Sequence, residues 1–217
     1  MKITLRTSLL VFVCWLSACG PASESKDQET APDSLSTSGM SKAEIECFSH
    51  PDFICESGLN FVRLGDYVSD VRLSTLSEAQ VQDSLENGNG YIWLVRTLHM
   101  PEGKIIVEGE FLDERFASDS LISASKVNRI RVESPMFRTP ADLHVGSTLA
   151  QLLEKYDAAS IQVFSLPEYE SINIQVGAEH YLYLIRDKGN QIAQAEGNAL
   201  TVSSIPQQSV IAAIVVM

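Results

Sequence analysis

The chain has 217 residues, of which 16 are basic and 28 acidic, for a formal net charge of −12 at pH 7. So acidic a balance excludes general electrostatic binding of nucleic acid, which needs clustered Lys and Arg against the phosphates, and it disfavours anionic lipid surfaces. The length suits one domain, or two small repeats sharing a core.

Lys2 and Arg6 precede an apolar run that extends from Ser8 to Leu16. At about 1.5 Å per helical residue this run is too short to cross a bilayer, so residues 1–18 read as a signal peptide and not as a membrane span. Leu16, Ser17, Ala18 and Cys19 close it. That order of Leu, small residue, Ala and Cys resembles the lipobox of the bacterial lipoproteins. The resemblance implies cleavage before Cys19 and a lipid on Cys19. Several acyl chains, at about 0.8 kcal/mol per buried methylene, make such an anchor effectively permanent. Gly20 stands where that family's sorting rule puts Asp for retention at the inner membrane, so the resemblance implies the outer membrane, facing the periplasm. The alternative is an ordinary secretory signal with a chance cysteine. Cys14 lies inside the apolar run and is discarded with it. Removing residues 1–18 takes away Lys2 and Arg6 and no acid, so 14 basic residues then face 28 acidic ones, a charge of −14.

Residues 19–40 hold Cys19 and a tether. The stretch 20–39 is made of Ser, Glu, Asp, Thr, Pro and Ala, with Leu35 its one large aliphatic residue. It cannot bury enough apolar surface to offset its chain entropy. As a flexible coil it spans roughly 25 Å root-mean-square, enough to hold a domain just off a membrane surface.

Two cysteines follow, Cys47 and Cys55. In an oxidising envelope they are expected to form a disulfide, a short staple worth about 2.5 kcal/mol by loop-closure entropy. A metal site on Cys47, His50 and Cys55 is the competing reading; it lacks a fourth ligand nearby.

Alternating apolar residues predict strands at 91–98, 104–111 and 127–133, then at 160–166, 171–176, 180–186 and 209–217. The last, Val210 to Val216, is apolar on both parities and is expected to be a central strand buried on both faces. A helix is predicted over 148–156, with Leu149, Leu152 and Leu153 on one face and Ser147 as its cap. Asp66 is the corresponding cap for a shorter turn, and residues 76–85 are the candidate for a further helix. Three matches recur in order. Leu64-Gly65-Asp66-Tyr67-Val68 parallels Val145-Gly146-Ser147-Thr148-Leu149. Tyr91-Ile92-Trp93-Leu94-Val95-Arg96 parallels Tyr181-Leu182-Tyr183-Leu184-Ile185-Arg186. Val127, Ile130 and Val132 parallel Ile211, Ile214 and Val216. The expected fold is α+β, a mostly antiparallel sheet built from two similar α/β repeats with few short helices, at 41–140 and 141–217, sharing one core. Gly, apolar helix, Tyr-bearing strand and I-x-x-I-x-V strand together resemble the BamE/SmpA-like repeat, and tandem copies resemble the β-lactamase-inhibitor-protein architecture. Both resemblances imply an assembly factor or binder and supply no catalytic residue.

Chemistry-bearing motifs are sparse. His50, His99, His144 and His180 have no ligand spacing, although His144 and His180 share the second repeat; no metal or cofactor is expected. Ser123-Ala124-Ser125-Lys126 matches S-x-x-K, but it runs into a strand where an acylase serine needs a helix start. Glu108 and Glu110 share one strand face, as do Arg129 and Arg131, and if those strands adjoin the pairs read as solvent-facing ladder contacts. Tyr91 and Trp93, with Tyr181 and Tyr183, read as one aromatic face of the sheet, opposite an aliphatic face of Ile92, Leu94, Leu182 and Leu184. Arg96 and Arg186 end the aliphatic parity and are expected to snorkel to the rim. The aromatic face is the candidate binding surface, since Tyr and Trp anchor interfaces. The expectation is a non-enzymatic envelope lipoprotein that binds or assembles a protein partner. The alternatives are an enzyme of unrecognised type, using Glu108 and Glu110 with a histidine, and a small-ligand binder with an apolar cleft between the repeats near Pro135 and Pro140.

Overall fold

The computed structural model describes residues 40–71, 79–166, 170–177, 180–192 and 200–217, which belong to one compact unit, Ser38–Met217. Cys19 and the 20–39 tether lie outside the described residues.

Helix α1, Lys42–Phe48, opens the unit; the Ser41 hydroxyl caps it by accepting from the Glu44 amide at 3.1 Å. The Cys47 and Cys55 sulfurs then lie at bonding distance, 2.08 Å, with their Cα atoms 5.9 Å apart. A small hairpin follows, β1 (Gly58–Leu59) and β2 (Val62–Arg63), and then a 3-10 turn, Val68–Asp70.

The body is one antiparallel sheet. In chain order its strands are β3 (Gln80–Gly88), β4 (Tyr91–Met100), β5 (Gly103–Gly109), β6 (Leu112–Asp113) and β7 (Val127–Val132), then β8 (Ile161–Leu166), β9 (Ser171–Val176), β10 (Tyr181–Arg186) and β11 (Ile211–Val216). The spatial order is β3-β4-β5-β7-β11-β10-β9-β8, with β6 attached to β4. Two antiparallel meanders therefore meet at the β7–β11 seam. The short helices α2 (Asp119–Ser123) and α3 (Leu149–Lys155) lie along them. The α+β class and the mostly antiparallel sheet follow from the alternation read in the sequence.

Period 2 sends Leu98, Ile105, Ile130, Ile214 and Ile174 to one face, all fully buried in a single cluster. The first 30 or so described residues and α3 cover that face: Ile54, Leu59, Leu149 and Leu152 join the same cluster at 0% exposure. Each such side chain contributes about 1.5–3 kcal/mol on burial. The cover is tied on by main-chain bonds, Ile54 N to Arg138 O at 2.7 Å, and by the Tyr181 hydroxyl, which donates to Ile54 O at 3.0 Å. As expected, β11 lies centrally, between β7 and β10, and is buried on both parities.

Three local expectations are corrected. Thr148, not Ser147, caps α3, in a reciprocal capping box with Gln151; the Ser147 hydroxyl instead accepts from the His144 amide at 3.0 Å. Asp66 caps no turn, because its carboxylate accepts from the Arg63 amide at 2.8 Å and Tyr67 stands at the N-cap. Residues 76–85 hold no helix from Gln80 onward, where β3 runs; residues 72–78 lie outside the described set. Strand β3 closes on β4 through Asn89-Gly90, both at positive φ (54° and 82°), the geometry of a two-residue hairpin that needs such residues.

Candidate functional site

The sheet face opposite the core is hollowed into a groove of about 680 Å³. Cross-strand register dictates what lines it. Val95 pairs with Glu108, and Glu108 with Arg129, across β4, β5 and β7. Arg131 pairs with Val215, and Val215 with Leu182, across the seam to β10. Leu184 pairs with both Ala213 and Asn173, and Arg186 with Ser171. Directly opposed residues share a face, so these side chains form one surface. The sheet curls enough for Trp93 on β4 and Asn173 on β9 to line the same cavity.

The groove has an apolar floor between two polar walls. Ala213, Val215, Leu182 and Leu184 make the floor over the seam. On one wall the Arg129 guanidinium donates to Glu108 Oε2 from Nε at 2.7 Å and also from Nη2. Arg131 forms an ion pair with Glu133, whose other oxygen lies 3.5 Å from Lys104 Nζ. The Arg129 guanidinium also stands 5.9 Å from the Phe111 ring centroid, and Phe111 meets Trp93 edge-on at 4.8 Å. On the far wall stand Ser171 and Asn173, at 5% and 1% exposure, with Arg186 and Lys188 exposed beside them. Asn173 Nδ2, Ser171 Oγ and Arg131 Nε are buried without a hydrogen-bond partner. Each such group costs about 1–3 kcal/mol unless something accepts from it.

This geometry redistributes the residues singled out by sequence. Trp93 lines the groove, whereas Tyr91, on the same strand face and 48% exposed, lies outside it, in a separate hollow with Asn89, Gly90, Asp113, Glu114 and Arg115. Tyr181 and Tyr183 do not join them. They point the other way, into the core, and Leu182 and Leu184 take the groove side. The expectation of one aromatic face is thus corrected. Residues of one parity share a face within a strand, but parity does not say which face, and β4 and β10 present opposite ones. Tyr183 sits at 0% exposure, with its hydroxyl 3.4 Å from that of Tyr156.

Glu108 and Arg129 are cross-strand neighbours, but the pair does not face bulk solvent: Glu108 is 8% exposed inside the groove. Glu110 lies outside β5, its amide donating to Lys126 O and to the Ser125 hydroxyl. Arg186 does reach the rim. Arg96 does not; it is on the core face, chelating Asp83 and donating to the carbonyls of Val68 and Ser69.

The histidines stay apart from the groove. His50 stacks on Phe53 at 4.6 Å, His99 meets Gln82 at 3.3 Å, and His144 Nδ1 lies 2.9 Å from the Val145 carbonyl. His180 does not meet His144; it lines a second cavity of about 930 Å³ with His50, beside the disulfide. Among the described residues no three His, Cys, Asp or Glu side chains could hold a metal, and no helix is long and apolar enough to cross a membrane. Ser123 ends α2 and Lys126 leads into β7, so S-x-x-K has no helical start here.

No protein family matches the chain, and no curated protein does. Among solved structures the chain is similar to the uncharacterized protein yfeY from Escherichia coli, at 10% identity and a TM-score of 0.48, over 72% of this chain and 96% of that one. A likeness at that level carries nothing further.

Proposed function

We propose that this protein is a lipid-anchored envelope protein of bacteria that acts by binding a partner in the groove, without chemistry of its own. Cys19 carries the lipid and the acidic tether holds the domain off the membrane, on the outer-membrane side facing the periplasm. The lipobox pattern at Leu16 to Cys19 and the disulfide-distance pair Cys47 and Cys55 support an exported chain. The observation that carries the binding role is the groove beside the β7–β11 seam, a concavity with an apolar floor between two walls of polar and charged side chains. Two of its four carboxylates, Glu108 and Glu133, are paired with Arg129 and Arg131; of the others, Glu86 accepts from the Ser84 hydroxyl at 3.2 Å and Glu170 from the Gly189 amide at 3.2 Å.

The domain is built, in this reading, on a duplicated meander. Exchanging Ile130–Val132 with Ile214–Val216 maps the seam register (Ile214 with Val132, Val215 with Arg131, Val216 with Ile130) onto itself. Gly65 and Gly146 both take positive φ, 85° and 101°, just before a short helical element. The Tyr91 to Arg96 and Tyr181 to Arg186 match is not part of that symmetry, since β4 is second in its meander and β10 third in its own. A cleft lies over the seam, and the cavity of about 930 Å³ beside the cysteine pair is lined by Pro140 with residues of both halves, among them Leu64, Tyr156 and Tyr181, in keeping with the cleft expected near Pro135 and Pro140.

The test is a crosslinking pull-down from intact envelopes. Replacing Trp93, which lines the groove, by Ala is expected to abolish partner capture while the melting temperature stays within a few degrees. Undiminished capture refutes the groove as the working surface. Cys19→Ser is expected to move the protein from the membrane to the soluble fraction; retention at the membrane refutes the anchor.

A further inference from the structure

The far wall of the groove differs from the near one in a way that specifies a ligand. On the near wall the guanidinium groups already have carboxylates. At the far end Arg186 and Lys188 form no ion pair among the described residues. Beside them Ser171 Oγ and Asn173 Nδ2 are buried and unpartnered. A carboxylate also borders this end, Glu170, and its Oε1 accepts from the Gly189 amide at 3.2 Å. Asp187, between the two cations, is 3% exposed and outside the groove lining, its carboxylate accepting from the Ile192 amide at 3.0 Å, so the groove itself meets two cations and one acid at this corner. The unpartnered amide nitrogen can only donate. Donors and positive charge call for an anionic oxygen acceptor, and charge-assisted hydrogen bonds are the stronger kind.

The floor sets the rest of the ligand. Leu184, Ala213, Leu182 and Val215 run from this corner toward the seam and carry no polar side-chain atom. Ala213, directly across from Leu184, keeps the floor low where a larger side chain would fill it.

We infer that the groove binds an amphipathic organic anion: a carboxylate or phosphate head held by Ser171, Asn173, Arg186 and Lys188, with an apolar chain lying over Leu182, Leu184, Ala213 and Val215. The inference rests on the groove being the protein's working surface, and it names the class of ligand that surface takes. The orphaned donors of Asn173 and Ser171 gain their acceptor only in the complex.

Isothermal titration of the full chain in lipid nanodiscs, with empty nanodiscs as the blank, tests it using octanoate, octyl phosphate, octanol and acetate. Saturable binding of octanoate or octyl phosphate is expected, at least tenfold tighter than octanol or acetate. The tighter of the two anions identifies the head. Asn173→Leu keeps the side-chain volume while removing the orphaned donor, and it is expected to weaken binding about tenfold without lowering the melting temperature. Arg186→Gln, at an exposed position, is expected to weaken it severalfold. Octanol binding as tightly as the anions overturns the inference, as does an affinity unchanged in both variants. Should neither anion bind while capture of a protein partner still depends on Trp93, the ligand assignment falls and the groove reading stands. Loss of both removes both.

Discussion

Glu108 and Arg129 face each other across the β5–β7 ladder, joined by a two-nitrogen hydrogen bond in a groove that leaves Glu108 8% exposed. An ion pair at that depth is sensitive to loss of one partner, because the remaining charge keeps its desolvation cost without its counterion. Arg129 is 36% exposed, which lowers the penalty from the fully buried case. Glu108→Gln is therefore expected to destabilise the fold by about 1–3 kcal/mol, read as a lower urea midpoint at unchanged m. A midpoint equal to that of the parent would mean that water already screens the pair.

The disulfide closes a loop of sequence separation 8 at the start of the domain. Loop-closure entropy puts its contribution at about 2.5 kcal/mol. Replacing Cys47 and Cys55 together by Ser should lower the melting temperature, and reductant should lower that of the parent by the same amount and leave the variant unmoved. A parent indifferent to reductant would show that the two thiols are not joined in solution.

Helix α3 has seven residues and is too short to persist alone. It depends on its capping box and on the burial of Leu149 and Leu152. Thr148→Ala removes the acceptor for the Gln151 amide at 3.2 Å. A loss of about 1 kcal/mol in chemical denaturation is expected. Ser147→Ala is expected to act instead through the turn at His144, so amide exchange should speed up there and not in the first turn of α3.

Asp83 and Arg96 provide a pH signature. Arg96 donates from Nε and Nη2 to the two carboxylate oxygens at 2.8 Å each. Hydrogen bonding from Arg96 holds the Asp83 carboxyl below its ordinary value of 3.8, partly opposed by burial. A carboxyl depressed on folding adds stability above its unfolded value, and that increment disappears as pH falls through the folded one. Asp83→Asn is thus expected to be less stable than the parent near pH 7. Asp83 is 45% exposed, so the gap is at most about 1 kcal/mol. It should close as the pH drops below the ordinary carboxylate range. A gap that stays constant down to strongly acid pH counts against the linkage.

Strands that bury one face were legible because alternation is what burial requires. The spans at 171–176, 180–186 and 127–133 coincide with β9, β10 and β7 to within a residue. Strand β3 was not, because Gln80–Gly88 is an edge strand with nearly every side chain exposed and no apolar alternation to see. Asn89-Gly90 was the available signal for it. Helix α1 escaped for a similar reason, since it buries only Cys47.

The residues themselves determined the acidic character of the chain, the cysteine pair, the antiparallel strands and the absence of a recognisable catalytic motif. These are properties of composition and of local period, which the chain carries before it folds. Tertiary structure alone decided which parity of each strand faces the core. It buried Tyr181 and Tyr183, turned Leu182 and Leu184 outward beside Trp93, and gathered Ser171, Asn173 and Arg186 at one end of a groove. A period of two assigns residues to faces within a strand, but only pairing across β4, β5, β7, β11, β10 and β9 joins those faces into one surface.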